Sequence, residues 1–443
     1  MDELRIQIVT YNVAVRNPEG SVRDILGLDN VHDNKTPLPD FFLIGLQEVK
    51  AQPQNYLIDS LFNDPWTNSF KDVLAGLGYV KAKTVRLVGI IMSVFCLRKH
   101  VVHLRDMQSL CTRTGLKGLW GNKGGVSLRL QIYGCSICFV NCHLAAHDHL
   151  LQERISDYNN ILANQKFDCR ESVSIMFHDY VFWFGDLNFR LNQPGPLSSL
   201  EIDKRVKAKD FKSLLEHDQL KIVMSSGDAF SELSESHIDF PPTYKYNFRT
   251  SEYDLSRRPG WTDRILYKVN PNVYENVTLD ITPQSYKAIE SVMYSDHKPV
   301  VASFAIKVFS DYVERCVKFL PIQTWYINEP NTAIVVMGSD VDPNVWDWIG
   351  VYYDDFAGLD EYLGFIYMSN NNTTIDATGT ALPTIVRSGD RVELKFFENI
   401  VRVPRKYRLI YFSHDSGSVL GMSHSFLLRH RDPSDTTTPP LDW

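Results

Sequence analysis

The 443-residue sequence has few cysteines and no long apolar run. Its seven cysteines follow no repeated spacing, which argues against a disulfide-rich secreted domain and favours a reducing compartment. The pair Cys135 and Cys138 has no second pair to complete a zinc site, so we interpret both as buried thiols. No uninterrupted apolar segment is long enough to span a bilayer.

The sequence also lacks an excess of positive charge. Its formal net charge is −7, so no overall basic field attracts nucleic acid, and we expect no nucleic-acid partner. The first residues, Met1 to Arg5, lack the basic start and apolar core of a signal peptide. We therefore expect a cytoplasmic protein that associates only peripherally with membranes, at the endoplasmic reticulum or the plasma membrane.

Two common phosphate-handling motifs are missing. No cysteine is followed six positions later by arginine, which excludes the loop of cysteine-based phosphatases. The glycine-rich loop over residues 114–125 is not a nucleotide P-loop, because Lys123 is followed by Gly124 instead of serine or threonine. Any phosphate chemistry must therefore use other side chains.

The most informative stretch is the apolar run Val181–Phe184, which predicts a strand buried on both faces. Gly185 then permits a turn, and Asp186 and Asn188 follow. A carboxylate at the end of a buried strand is costly unless its charge is satisfied. The stretch therefore indicates a site for a metal, a water or a phosphate; the alternative is a strand that ends in an ordinary Asx turn.

An apolar strand pattern that ends in a polar residue recurs along the first 300 residues, where helical and strand patterns alternate as in an α/β domain. Polar residues of catalytic type flank several predicted strands: Asn12, Glu48, His143, Asp263, Asp296 and His297. Each has an ordinary explanation, such as an ion pair, a core histidine or a turn cap. All these explanations would have to hold at once, so we favour a single convergent site.

The residue types indicate metal-assisted phosphoryl transfer to water. Glu48 and Asn12 offer the hard oxygen ligands that Mg²⁺ prefers. Asp186 can act as general base on a water. His143 and His297 can donate to phosphoryl oxygens, and Asp263 is the candidate carboxylate to orient His297. No covalent intermediate is needed.

Two long motifs, Trp183–Arg190 and Pro259–Leu266, resemble the signatures of inositol polyphosphate 5-phosphatases. Shorter matches occur in the family's order, at 47–49, 121–125, 141–144 and 295–299, and the resemblance covers residues 4–307. It implies a four-layer α/β sandwich, the endonuclease/exonuclease/phosphatase fold. Gly260 is a departure, because the family usually has alanine there.

The resemblance also implies roles for individual residues. It places Mg²⁺ on Glu48 with Asn12 nearby, makes Asp186 the base, sets Asn188 and His143 on the 5-phosphate, and pairs Asp263 with His297. Lys123 and Asp296 join the substrate-binding and catalytic candidates through the shorter motifs. Tyr244 and Lys245 would contact the 4-phosphate, with help from Arg257.

The implied substrates are the head groups of phosphatidylinositol 4,5-bisphosphate and 3,4,5-trisphosphate, and soluble inositol phosphates. A nuclease or sphingomyelinase of the same fold, and a catalytically idle adaptor, remain alternatives. Leu116, Leu119 and Trp120 lie beside the predicted site, where they either enter the bilayer or pack in the protein.

After about Lys307 the helical patterns stop and short strands alternate with turns, which predicts a β-sandwich. The segments Asp347–Tyr352 and Tyr362–Tyr367 resemble the SKICH domain, an Ig-like β-sandwich. We therefore predict a catalytic domain over residues 1–310 and a SKICH domain over residues 318–443. The resemblance implies that the second domain recruits a membrane or a protein partner and has no catalytic role.

Overall fold

The structure is a computed structural model. It describes residues 3–28, 37–50, 64–115, 120–169, 172–192, 197–270, 273–274, 277–309, 312, 316–339, 341–371, 373–375, 381–383, 389–433 and 435. The chain divides into two compact units. The first contains residues 1–100 and 107–312, and the second contains Val101–Asp106 and residues 313–443.

The first unit alternates strands with short helices. Its elements in chain order are β1 (Glu3–Asn12), β2 (Phe41–Gln47), α1 (Pro65–Ala75), β3 (Tyr79–Leu87), β4 (Ile90–Leu97), β5 (Arg105–Gly115), β6 (Trp120–Ile132), β7 (Cys135–His143), α2 (Leu151–Asn164), β8 (Tyr180–Asp186), α3 (Ser199–Lys207), α4 (Phe211–Leu215), α5 (Gln219–Ser226), β9 (Ser234–Glu235), β10 (Asp263–Val269), β11 (Val273–Tyr274), β12 (Val277–Thr278), β13 (Ile281–Ala288) and β14 (Val300–Lys307). Short 3₁₀ helices lie at Arg98–His103, Ile175–Phe177 and, in the second unit, Met368–Asn371. None of the described helices is both long and apolar enough to cross a bilayer.

Two mixed six-stranded sheets form the centre of the first unit. Sheet A has the order β13-β14-β1-β2-β4-β3, and sheet B has the order β5-β6-β7-β8-β10-β9. Aromatic rings join them: Phe182 of sheet B lies 5.1 Å from Phe304 of sheet A. Both faces of the central strands are therefore buried, as the apolar runs predicted.

Helices cover the outer faces of the two sheets. Trp66, Phe70 and Leu74 of α1 pack in one apolar core with residues of β1, β2 and β4. On the other side, Tyr158 of α2 and Val223 of α5 pack in a core with residues of β7 and β8. The order helix, sheet, sheet, helix is the four-layer α/β sandwich that the family resemblance implied.

Two helical predictions have different outcomes. Asp64 followed by Pro65 predicts a helix that begins at Pro65, and the structure confirms it: Asp64 accepts a hydrogen bond from the Thr67 amide and Pro65 is the first residue of α1. The pattern near Asp203–Leu215 predicts one helix, and the structure has two, α3 and α4. Asp210 ends the continuity because its side chain caps α4 through the Ser213 amide.

The glycine-rich segment 114–125 is mostly strand, although the sequence predicts a loop. It forms the end of β5 and the start of β6, where Gly124 pairs with His143. A Cβ atom on Gly124 would lie 2.0 Å from the Thr112 carbonyl oxygen, so its glycine allows close strand approach. Residues 116–119 and the Trp120 side chain lie outside the described part of the chain, which leaves the bilayer hypothesis a prediction.

The second unit consists mainly of strands. They are β15 (Val317–Phe319), β16 (Trp325–Tyr326), β17 (Asn331–Met337), β18 (Trp348–Tyr353), β19 (Gly364–Tyr367), β20 (Thr373–Ile375), β21 (Ala381–Pro383), β22 (Arg391–Phe396), β23 (Arg405–Phe412), β24 (Val419–Met422) and β25 (Phe426–Arg429). One sheet has the order β15-β17-β22 and a second has the order β16-β25-β23-β18-β19, with β24 on β23. A common apolar core contains residues of both sheets, so the predicted β-sandwich is confirmed.

Candidate active site

The sheet topology brings the predicted site residues to one end of the sandwich. In sheet A, β1 and β2 run parallel and end at Asn12 and Gln47, while the antiparallel β14 begins at the same edge. In sheet B, the parallel strands β7 and β8 end at His143 and Asp186, which are register partners. The antiparallel β10 begins with Asp263 opposite Asp186.

Side-chain amides join these edges across the gap between the sheets. Asn12 Nδ2 donates to Asp186 Oδ2 at 2.9 Å, and Gln47 Nε2 donates to Asn141 Oδ1 at 2.7 Å. Ser295 Oγ donates to the Asn12 carbonyl oxygen at 2.7 Å, which fixes the segment before β14. The spacing of the two sheets therefore sets the distances within the site.

Asp186 is the centre of the cluster and is almost fully buried. Its Oδ2 atom lies 3.2 Å from His143 Nε2 and 4.0 Å from His297 Nε2, and its Oδ1 atom accepts from the Asn188 amide at 3.1 Å. Burial alone would raise the pKa of Asp186, but its contacts with His143, His297 and Lys123 outweigh burial and hold the pKa well below its ordinary range. Asp186 is therefore ionised at every physiological pH.

Gly185 makes the strand end that presents Asp186 possible. Its φ is +136°, and a Cβ atom there would lie 2.0 Å from the Cys142 carbonyl oxygen on β7. Only glycine fits this close approach.

His297 and Asp263 form a buried pair. His297 Nδ1 lies 2.9 Å from Asp263 Oδ2, which also accepts hydrogen bonds from Thr243 Oγ1 and Thr262 Oγ1 at 2.7 and 2.9 Å. Burial lowers the pKa of His297, but Asp263, with help from Asp186 and Asp296, raises it to about 9. His297 is therefore an imidazolium at neutral pH, with Nε2 directed toward Asp186.

His143 has the opposite character. Burial, and then the neighbouring Lys123 ammonium in contact with His143 Nε2, lower the pKa of His143 below its ordinary value. It is therefore a neutral imidazole at pH 7, so the two histidines cannot play identical roles.

Glu48 and Asn12 are the predicted ligands of the divalent cation. Glu48 follows β2 with a φ of +55°, and its side chain is 41% exposed, with Oε1 3.8 Å from His143 Nε2. Asp186, Asp263 and His297 also place ligand-type atoms within 4.8 Å of one another. The oxygen donors of Glu48 and Asn12 remain the predicted ligands of the cation.

Arg190 is a site residue to which the sequence analysis assigned no role. Its Nη2 atom donates to Asn188 Oδ1 at 2.6 Å, and its guanidinium lies 4.5 Å from the centroid of the Tyr244 ring. The Tyr244 ring in turn lies 4.5 Å from that of His297. Arg190 belongs to the first signature motif, but only the fold shows that it contacts Tyr244.

The predicted 4-phosphate residues lie beside this cluster. Lys245 Nζ is 3.0 Å from Asp254 Oδ2, and this hydrogen bond raises the pKa of Lys245. Arg257 is exposed in the same loop. The neighbouring Arg258 is bound to Asp148, with Nε donating at 2.9 Å.

Asp296 acts on the site through its neighbours and its charge. Its Oδ1 atom accepts from Ser295 Oγ at 3.4 Å, and its carbonyl oxygen accepts from the Tyr246 amide at 2.9 Å. Its charge adds to the field that keeps His297 protonated. Asp296 thus supports the site by its backbone and its charge.

The departure at Gly260 leads to a stability prediction. A Cβ atom there would meet nothing closer than 3.8 Å, and the backbone does not require glycine. Gly260→Ala is therefore expected to stabilise the first unit by about 0.4–1 kcal/mol, because alanine restricts the unfolded chain. Calorimetry should show a higher midpoint for that unit. Gly185→Ala is the control and should lower it; a lower midpoint for Gly260→Ala would contradict the prediction.

Comparison with known proteins identifies both parts of the chain. Residues 9–303 match the model of Endonuclease/Exonuclease/phosphatase family 2, and residues 317–428 match the SKICH domain. The inositol polyphosphate 5-phosphatase domain of SPsynaptojanin, solved in complex with inositol (1,4)-bisphosphate and a calcium ion, is structurally similar. It has a TM-score of 0.59 and 32% sequence identity, over 69% of this chain and 85% of that chain.

Two mouse proteins are similar over nearly the whole chain. Phosphatidylinositol 4,5-bisphosphate 5-phosphatase A is 34% identical over 95% of this chain, which spans 41% of that protein. Inositol polyphosphate 5-phosphatase K is 30% identical over 96% of this chain and 89% of its own length. The chain therefore belongs to the inositol polyphosphate 5-phosphatase family and carries a SKICH domain.

Proposed function

We propose that the chain is a Mg²⁺-dependent hydrolase. It removes the 5-phosphate from phosphatidylinositol 4,5-bisphosphate, phosphatidylinositol 3,4,5-trisphosphate and soluble inositol polyphosphates. The observation that carries the proposal is the environment of Asp186, a buried carboxylate that accepts a hydrogen bond from Asn12 and lies between two histidines where the two sheets meet. Such a group can hold an attacking water beside a phosphoryl group.

Asp186 would act by orienting the water more than by its basicity. A carboxylate with a strongly lowered pKa is a weak base, so early proton abstraction is disfavoured. Phosphoryl transfer has a loose transition state in which the nucleophile loses its proton late. The fixed position of Asp186, bonded to Asn12 and Asn188, therefore matters most.

Positive groups surround the place where phosphoryl charge would develop. The His297 imidazolium faces Asp186, Lys123 contacts His143, and Arg190 lies over Tyr244. These groups are held by packing before substrate binds, so they can stabilise the transition state without rearrangement. Neutral His143 would contribute a hydrogen bond and no charge.

Mg²⁺ held by Glu48 and Asn12 would neutralise phosphoryl oxygens and polarise the scissile phosphate. Lys245 and Tyr244 would contact the 4-phosphate. Inositol (1,4)-bisphosphate, present in the SPsynaptojanin complex, is what remains when inositol 1,4,5-trisphosphate loses its 5-phosphate. That chemistry supports the 5-position as the site of hydrolysis here.

The test is phosphate release from phosphatidylcholine vesicles that contain phosphatidylinositol 4,5-bisphosphate, with Mg²⁺ or with excess chelator. We expect release only with Mg²⁺, and phosphatidylinositol 4-phosphate as the lipid product. Release of any other isomer would contradict the 5-specificity. No release, with an intact fold, would favour the adaptor alternative, and cleavage of DNA or sphingomyelin would favour the other members of the fold.

The His297–Asp263 pair leads to a pH prediction. Since the pKa of His297 is raised to about 9, the imidazolium is present below that pH and is lost above it. We expect kcat/KM on inositol 1,4,5-trisphosphate to fall with a slope of one above pH 9. In Asp263→Asn the main source of the raised pKa is gone, so the alkaline limb should move to lower pH and activity at pH 7.5 should fall about 100-fold.

A pH profile from 6 to 10 checks this prediction. Glu398→Gln, a change in an exposed residue of the second unit, is the control and should leave the alkaline fall in activity at the same pH. An unmoved limb in Asp263→Asn would show that another group titrates.

We also propose that the enzyme works in the cytoplasm on lipid head groups at the endoplasmic reticulum or plasma membrane. The phosphoinositide substrates of the proposed reaction support this location. Fractionation of cells that express the full chain tests it.

A further inference from the structure

Arg190 reaches back to Asn188, the residue that the family resemblance sets on the 5-phosphate. Its Nη2 atom donates to Asn188 Oδ1 at 2.6 Å, and its Nε atom donates to the Asn188 carbonyl oxygen at 3.1 Å. Both residues are buried. One guanidinium therefore holds the backbone and the side chain of Asn188 together.

The side-chain amide of Asn188 has one orientation that satisfies its neighbours. Its Oδ1 atom accepts from Arg190, and its Nδ2 atom donates to the Leu144 carbonyl oxygen at 3.1 Å. The reversed amide would set its NH₂ group against the guanidinium, which only donates, and its oxygen against the Leu144 carbonyl, which only accepts. In the observed orientation the bond to Leu144 uses one N–H group, and the second N–H group can donate to a phosphoryl oxygen.

The position of Arg190 is itself fixed by its surroundings. Its backbone N–H donates to Gln219 Oε1 at 2.9 Å, and its carbonyl oxygen accepts from the Gln219 amide at 2.9 Å. Its guanidinium lies 4.5 Å from the centroid of the Tyr244 ring. Helix α5, which begins at Gln219, and the Tyr244 ring therefore limit the movement of Arg190.

Packing alone explains Arg190 poorly. Within the part of the chain that the structure describes, no carboxylate forms an ion pair with its guanidinium. A buried cation without a counter-charge costs free energy, whereas methionine could pack against Tyr244 without that cost. The hydrogen bonds to Asn188 and the positive charge both suit a site that receives an anion.

We propose that Arg190 is a positioning residue, which fixes the Asn188 amide with an N–H group toward the phosphate that is removed. The inference rests on the proposed 5-phosphatase function. Without Arg190 the reversed amide becomes accessible, and it presents an oxygen to an anionic phosphate. Because a hydrogen bond to the phosphoryl group strengthens as charge develops there, the loss should be in kcat more than in KM.

A double-mutant cycle on soluble inositol 1,4,5-trisphosphate tests the proposal. Arg190→Lys keeps the charge but replaces the planar fork by a single ammonium group. Asn188→Gly removes the amide, and glycine suits the φ of +56° at this position. We expect kcat to fall about 10- to 100-fold in Arg190→Lys and about 100-fold in Asn188→Gly. The double variant should lose no more activity than Asn188→Gly alone.

Arg129→Lys is the matched control. Arg129 is also buried in the first unit, and its Nε atom donates to His178 Nε2 at 3.2 Å. Its substitution should lower stability and leave kcat unchanged. Should Arg190→Lys lose its fold by circular dichroism, Arg190→Met takes its place. Its loss of kcat should be at least about tenfold smaller in the Asn188→Gly background than in the unsubstituted chain.

Three results would overturn the proposal. Losses that multiply in the double variant would give Arg190 a role separate from Asn188. An alkaline limb that moves to lower pH in Arg190→Lys would show that Arg190 acts on His297 through the Tyr244 ring, which lies 4.5 Å from that of His297. An equal loss in Arg129→Lys would show a general effect of replacing a buried arginine. Failure of the proposed function is a separate outcome, in which the unsubstituted chain releases no phosphate from inositol 1,4,5-trisphosphate.

Discussion

Asp186→Asn is expected to lower kcat for phosphate release by about 10³- to 10⁴-fold. The substitution keeps the shape of the side chain but removes the negative charge that positions the water. It also replaces one of the two accepting oxygens by an NH₂ group. In either orientation, the asparagine can therefore accept from only one of its two present donors, the Asn12 side-chain amide and the Asn188 backbone amide. Because a carboxylate repels a phosphate, KM should stay the same or fall.

Initial rates on soluble inositol 1,4,5-trisphosphate measure this effect without membrane binding. The matched control is Asp179→Asn, at the opposite end of the same strand. Asp179 accepts hydrogen bonds from the amide and the hydroxyl of Ser136, so its loss should cost stability and leave kcat nearly intact. If Asp186→Asn kept more than about a tenth of the activity, the proposed role of Asp186 in positioning the water would be wrong.

Arg264→Met is expected to destabilise the first unit by about 3–5 kcal/mol, although it substitutes none of the candidate catalytic residues. Arg264 is fully buried, and it donates from Nη1 to both oxygens of Asp218 at 3.0 Å and from Nε to Glu235 at 2.6 Å. Removing the cation leaves two carboxylates buried without their partner. Calorimetry should show the transition of this unit lowered by roughly 5–15 °C.

The pH dependence distinguishes this cause from general damage to packing. In Arg264→Met the folded-state pKa of Asp218, which burial already raises, should rise further, so the folded state binds a proton more readily than the unfolded chain. The loss of stability should then be smaller at pH 5 than at pH 8. Arg249→Met, which removes an exposed ion pair with Glu19, should cost under about 1 kcal/mol. A similar cost at both sites would contradict the assignment.

Asp263 and Arg264 illustrate what the sequence could predict. Both belong to one signature motif, and alternation on β10 sends their side chains to opposite faces of the sheet. Asp263 meets His297, whereas Arg264 meets Asp218 and Glu235. A motif shows which residues occur together in sequence. Only the structure shows that Asp263 faces the candidate active site and that Arg264 faces a buried ion pair.

The apolar runs and their polar ends predicted the strands and most of the site. The strand Val181–Phe184 and the residues after it could be recognised because burial on both faces leaves an unmistakable pattern. The bond between Gln47 and Asn141, and the contact of Arg190 with Tyr244, could not be predicted. They depend on how closely two sheets approach, and one sequence contains no direct signal for that distance.

The order of the strands along the sequence has a consequence for folding during translation. Sheet A takes strands from both ends of the first unit, and β5 to β10, which make sheet B, lie between them in sequence. A nascent chain can therefore complete sheet B while β1 still lacks its neighbour β14. At roughly 5–20 residues per second, Asn12 leaves the ribosome on the order of 15–60 s before His297. Translation must thus reach nearly the end of this unit before any catalytic centre exists, and a ribosome that stalls earlier releases an inactive product.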